Sequence, residues 1–113
     1  MLRGTIMTIV AVLVSATAAY ADPIEGTWRT PRGENTSIVS CGSGFCISVK
    51  TGKFKGKHIG QMNASGGGKY SGEITDPEDD KTYSGNAHLS GGTLRMQGCV
   101  LGVFCKSQIW HRI

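Results

Sequence analysis

Nowhere beyond residue 21 does this chain repeat apolar residues at i, i+3, i+4 and i+7, so an amphipathic helix is excluded there. Proline is scarce, with three in 113 residues. No two of His58, His88 and His111 form an H-x-H or H-x3-H pair, which removes the usual spacing of a histidine metal site. A G-x-S-x-G elbow is missing, and so is the G-x4-GK[ST] frame of a phosphate loop. The net charge is +4, or +3 without Arg3, and few aromatics flank the lysines. That excess is too small, and too poor in stacking groups, to argue for nucleic acid.

What is present begins with an export signal. Arg3 precedes the apolar run "TIMTIVAVLV", small residues follow, and "Ala19-Tyr20-Ala21" fits the A-x-A cleavage rule. A signal peptide over residues 1–21 is expected, with cleavage before Asp22 and a periplasmic or secreted product. The run is short for a membrane span and has no stop-transfer flank, so a membrane-spanning anchor is not expected. Residues 22–113 then suffice for one small domain.

All four cysteines lie in that domain. An even count in a small exported chain reads as two disulfides. The C-x4-C and C-x5-C spacings are wide for a zinc knuckle.

Glycine is abundant, at 17 residues, and short alternating runs are broken by Gly, Asn or Asp. This is the pattern of an all-β meander. Eight segments qualify: "GTWRT", "TSIVSC", "CISVK", "KHIGQM", "KYSGEI", "KTYSGNAHL", "TLRMQGC" and "CKSQIWHRI". "KHIGQM" is the weakest, and "ASGGG" reads as a linker or hairpin tip. A sheet this small hides its edges best by closing, so the expected fold is a small antiparallel up-and-down barrel. Its first and last strands would be neighbours, with Arg112 or Arg29 over an indole face. The G-x-W start with a basic residue near the end resembles the lipocalin and fatty-acid-binding arrangement.

Closure constrains the disulfides. The turn after the second strand and the turn before the last lie at opposite barrel ends. A disulfide spans only about 4.4–6.8 Å between Cα atoms. The expected pairs are therefore local, Cys41 with Cys46 and Cys99 with Cys105, each stapling its own hairpin.

The blocks "DPIEGTWRT", "CGSGFC", "YSGEITDPEDDKTYSG" and "LRMQGCVLGVFCKSQIWHR" together resemble the secreted bacterial proteins grouped as "domain of unknown function 2147". The resemblance implies a small exported barrel-like domain and no activity. Members of that group usually carry a longer middle segment, where this chain has the short, basic "SVKTGKFKGKHIGQM". A smaller cavity, or none, is the expectation from that difference.

The acids of "DPEDDKTYSG" alternate at Asp76, Glu78 and Asp80, but the EF-hand glycine and late glutamate are missing. Pro77 and Asp76 suit a type I turn, so a hairpin is preferred to a metal loop. Acids exposed on a turn do not make a glycosidase pair. No cofactor, metal or catalytic residue is assigned, and a binding protein is expected rather than an enzyme.

Two kinds of binding are considered. A small apolar ligand would meet Trp28, Tyr83, Met96, Trp110 and Arg112, although side chains are expected to fill most of the interior. An envelope protein or surface would meet Phe45 and Phe104 at the disulfide-tipped loops, or Lys53, Lys55 and Lys57 along an extended edge. "ASGGGKYSG" is loosely similar to the S-G-x-x-Y loops of periplasmic lysozyme inhibitors, a variant of the second reading.

Overall fold

The structure is a computed structural model that describes residues 22–113; the expected signal peptide lies outside the described residues. Eight strands follow in chain order: β1 (Gly26–Arg29), β2 (Asn35–Cys41), β3 (Gly44–Val49), β4 (His58–Gly66), β5 (Lys69–Asp76), β6 (Lys81–Ser90), β7 (Thr93–Val100) and β8 (Phe104–Arg112). Each pairs antiparallel with the next, and β8 returns to β1 to close the barrel.

Tight turns make this meander possible. Gly67 and Gly68 both have positive φ, +64° and +76°, which is what a two-residue β4–β5 hairpin needs to follow the strand twist. Hairpins β2–β3, β4–β5 and β6–β7 crowd one end of the barrel. Hairpins β1–β2, β3–β4, β5–β6 and β7–β8 surround the other. The first end is closed and the second open.

The closed end is plugged by residues 22–25. Ile24 is fully buried, and its carbonyl accepts the Trp28 indole N–H at 2.9 Å. The Tyr70 hydroxyl donates to Asp22 Oδ1, and Ser40 N donates to Glu25 Oε1 at 3.1 Å. Arg112 donates to the Pro23 and Glu25 carbonyls and lies 4.2 Å from the Trp28 ring centre. Beneath the plug, Ile38, Ile47, Met62 and Leu94 form a core with no solvent exposure.

Glycines shape the wall beside that core. Met62, Gly72, Gly85 and Gly98 follow one another across β4 to β7 on the inner face. A Cβ on Gly72 would overlap the Gln61 carbonyl oxygen, and one on Gly85 would come within 2.7 Å of Met62 Cε. Three side chains are thus withheld where strands coil tightly and where Met62 lies across the lumen.

The disulfides are the local pairs. Cys41–Cys46 staples β2–β3 at the closed end, and Cys99–Cys105 staples β7–β8 at the open end. "KHIGQM", the weakest strand candidate, proves to be the start of a nine-residue β4 that runs through Ala64 to Gly66. Ile109 points outward and is 43% exposed, while Met62 and Tyr70 take inner positions.

Candidate functional site

The open end holds a cavity of about 600 Å³. Its apolar wall comes from Ile59 on β4, Ile74 on β5, Met96 on β7 and Trp110 on β8, with Thr36 of β2 beside them. Ile59 reaches the interior because the β3–β4 register shifts between Ile47 and Ser48, leaving one extra residue on β4. The volume falls within the ~300–1,000 Å³ usual for small-molecule sites. The expectation of a filled or vanishing interior holds for the closed half only. Gly98 and the single-residue shift border the open half, whereas at Gly72 and Gly85 the space is taken by the Gln61 backbone and Met62.

About half of the residues lining the cavity are polar or charged, among them Thr30, Arg32, Glu34, Tyr83, Lys106 and Gln108. Gln108 Oε1 accepts the Trp110 indole N–H at 3.0 Å, which leaves its amide nitrogen for another partner. Thr30 Oγ1 is buried against the cavity with no hydrogen-bond partner. The Tyr83 hydroxyl lies 3.5 Å from Asp79 Oδ2; desolvation first, then the Asp79 and Asp76 carboxylates, hold it above the ordinary phenol range.

Ion pairs tie three of the four surrounding hairpins together. Arg32 on β1–β2 approaches Asp76 at 3.7 Å and Glu78 at 3.3 Å. Lys53 and Lys57 on β3–β4 reach Glu78 and Asp80 at 3.3 and 2.6 Å. The acidic turn is thus a clamp for neighbouring hairpins. Its remaining acceptors cap its own backbone: Asp76 Oδ1 takes Glu78 N at 2.9 Å and Asp79 Oδ1 takes Lys81 N at 3.0 Å. Among the described residues, no group of three or more His, Cys, Asp or Glu side chains converges as metal ligands would.

The fourth hairpin differs. Val100, Leu101, Val103 and Phe104 form an apolar lip, with Leu101 84% and Phe104 71% exposed. Val100, Val103 and Phe104 also line the cavity. Beside this lip the barrel wall is split. β8 pairs with β1 only through Trp28–Arg112 and Arg29–His111. From Phe104 to Trp110, the edge of β8 that faces β1 has no paired strand among the described residues.

Tyr83, Met96 and Trp110 are therefore brought together in the cavity, as the sequence reading expects of ligand contacts. Trp28 and Arg112 are not. They meet each other as expected, but under the plug at the closed end, where Trp28 has no exposure. Phe45 also departs from its expected surface role. It faces inward opposite Met62 and packs edge-on against Tyr70, with ring centres 5.8 Å apart. The lysines lie on a compact turn closed by Gly56 N to Val49 O, not on an extended edge; Lys53 and Lys57 are ion-paired and Lys55 is exposed. Sequence reasoning missed Gln108, Thr30 and Lys106 as cavity groups. Alternation back from Trp110 along β8 was the available signal for Gln108 and Lys106.

The two disulfides indicate an oxidising environment. No helix among the described residues is long and apolar enough to cross a membrane. No curated protein and no solved structure matches the chain. A family model described as "Uncharacterized protein conserved in bacteria (DUF2147)" matches residues 47–112, from β3 to the end of β8, and the chain belongs to that family.

Proposed function

We propose that this protein is an exported binding protein that holds a small apolar ligand in the open half of its barrel. The observation that carries the reading is the cavity of about 600 Å³, walled by Ile59, Ile74, Met96 and Trp110 and entered beside an apolar lip. Such a wall supplies hydrophobic binding, roughly 25 cal/mol per Å² of apolar surface removed from water. Among the described lining residues no nucleophile stands hydrogen-bonded to a base, which supports binding over catalysis. Export with removal of residues 1–21 fits the two disulfides. Native mass spectrometry of protein from its bacterial host, with displacement of a fluorescent apolar dye, tests the reading. A bound or exchangeable ligand whose affinity drops in Met96→Asp supports it; an empty barrel that takes up no dye refutes it.

A second reading rests on the exposure of Leu101, Val103 and Phe104, which would suit an envelope protein partner. Capture of one specific envelope protein, lost in Phe104→Ser, would favour it. The lysozyme-inhibitor variant has less support, because Tyr70 of "SGGGKY" is turned inward and bonded to Asp22.

A further inference from the structure

We infer that the ligand is a single-chain amphiphile with an anionic head, its chain in the apolar cavity and its head at Lys106. This rests on the proposed binding function and specifies its ligand class.

The inference starts from one residue in an unexpected place. Lys106 is paired with Gly98 in the β7–β8 register, so it belongs to the same inner-face row as Gly85, Gly72 and Met62. Inner positions of a small barrel ordinarily carry apolar side chains. Here the row ends in Lys106, an exposed residue that contributes to the cavity lining. Gly98 beside it lets Ile74 and Tyr83 pack close, each with an atom 3.3 Å from where a Cβ there would stand.

Charge accounting isolates Lys106 further. Two cations line the cavity, Arg32 and Lys106. Arg32 is matched by Asp76 and Glu78. Lys106 has no ion-pair partner among the described residues. Glu34 also lines the cavity, but its carboxylate leans toward Gly52 of the β3–β4 turn, 3.6 Å from where a Cβ there would stand. Among the described residues, Lys106 is thus the lining cation without an ion-pair partner, and Glu34 on the β1–β2 connection is the lining carboxylate without one. The Gln108 amide nitrogen lies one inner position deeper on β8, and Trp110 one deeper still. The order along β8 is cation, amide donor, indole, which matches a charged head followed by an apolar chain.

The split wall gives such a molecule a way in. The unpaired edge of β8 from Phe104 to Trp110 flanks the cavity, and Val103 and Phe104 form an apolar lip at its outer end. A chain can slide in there while its head stays near water at Lys106. Only one chain is inferred, because the cavity volume is about 600 Å³.

Lysines on inner positions of free edges also deter strand pairing between molecules. The experiment separates the two roles. Dodecanoate, dodecyl phosphate and the neutral alcohol dodecanol are titrated into wild type, Lys106→Met, Lys106→Gln and Lys106→Glu. Binding is followed by Trp110 fluorescence and calorimetry, and oligomeric state by light scattering. The expected result is that both anions bind wild type about tenfold or more tighter than the alcohol. That preference falls to near unity in Lys106→Met and Lys106→Gln and reverses in Lys106→Glu, with alcohol affinity retained. Preference for one anion alone supports the inference and identifies the head group. An anion preference that survives in Lys106→Met overturns it; if that variant also self-associates, Lys106 is an edge guard. Equal binding of anion and alcohol by wild type overturns the inference and leaves the cavity reading standing. Binding of none of the three overturns both.

Discussion

Arg112 and Trp28 close the barrel as a stacked pair, the guanidinium 4.2 Å from the centre of the indole ring. The same guanidinium donates to the carbonyls of Pro23 and Glu25, so one side chain joins the last strand, the first strand and the plug. Arg112→Ala is expected to destabilise the fold by about 1–3 kcal/mol, through a lost cation–π contact and two unsatisfied carbonyls. Lys restores only part, because it lacks the planar fork. Urea denaturation measures the loss, and ligand affinity should barely change because the cavity is at the other end.

The inner-face glycines should differ in tolerance. A methyl on Gly72 meets the Gln61 backbone, which cannot step aside, whereas one on Gly85 meets the flexible end of Met62. Gly72→Ala should cost about 3 kcal/mol or more and Gly85→Ala about 1 kcal/mol. Gly92→Ala, with nothing within 4 Å, is the neutral control. Thermal melts read these differences at about 4–8 °C per kcal/mol for a domain this size. Equal losses at Gly72 and Gly92 would contradict the packing.

Removing either disulfide as a Cys→Ser pair should cost about 2 kcal/mol, since both loops are short. Their effects on binding should separate. Loss of Cys99–Cys105 frees the apolar lip and weakens ligand affinity, whereas loss of Cys41–Cys46 at the closed end leaves affinity intact. Titration of the two variants with the same dye checks this.

Tyr70 gives the fold an alkaline limit. Desolvation first, then the hydrogen bond to Asp22 and its charge, raise the phenol pKa well above the ordinary value. The unfolded chain ionises at about pH 10 while the folded one does not. The stability contributed by the protonated phenol is therefore complete below pH 10 and declines as pH rises beyond it. Tyr70→Phe should lower stability by about 1 kcal/mol at pH 7 through the lost hydrogen bond, and flatten the decline above pH 10. Melting temperatures from pH 7 to 11 for both proteins are the measurement.

The acidic turn should respond to salt more than to calcium. Glu78 pairs with both Arg32 and Lys53 at exposed positions. Glu78→Gln is expected to cost under about 1 kcal/mol, and less in 0.5 M salt. Millimolar calcium should leave the melting temperature unchanged; a clear rise, lost in Asp76→Asn, would reassign the turn as a metal loop.

Several features were legible in the residues because they are local. Alternation and glycine punctuation mark the strands, and Pro77 with Asp76 marks the β5–β6 hairpin. Cysteine spacing together with meander topology yields both disulfides. Other assignments failed where one residue of parity mattered. Ending one strand at Cys41 and starting the next at Cys46 leaves Phe45 in a disulfide-tipped loop. The turn is only Gly42–Ser43, so Phe45 belongs to β3 and faces inward. The K-x-K-x-K pattern suggests an extended lysine face, but Gly52 and Gly56 at φ +85° and +92° fold it into a turn.

By itself the sequence determined that this chain is an all-β barrel with hairpin-local disulfides, because periodicity two, turn chemistry and loop length act over a few residues. Only the tertiary structure decided where the barrel is full and where it is empty. Met62 lying against Gly72 and Gly85, the extra residue at Ile59 and the short β1–β8 pairing set that difference. Each depends on register between strands, and register is fixed by packing across the whole barrel rather than by any one segment.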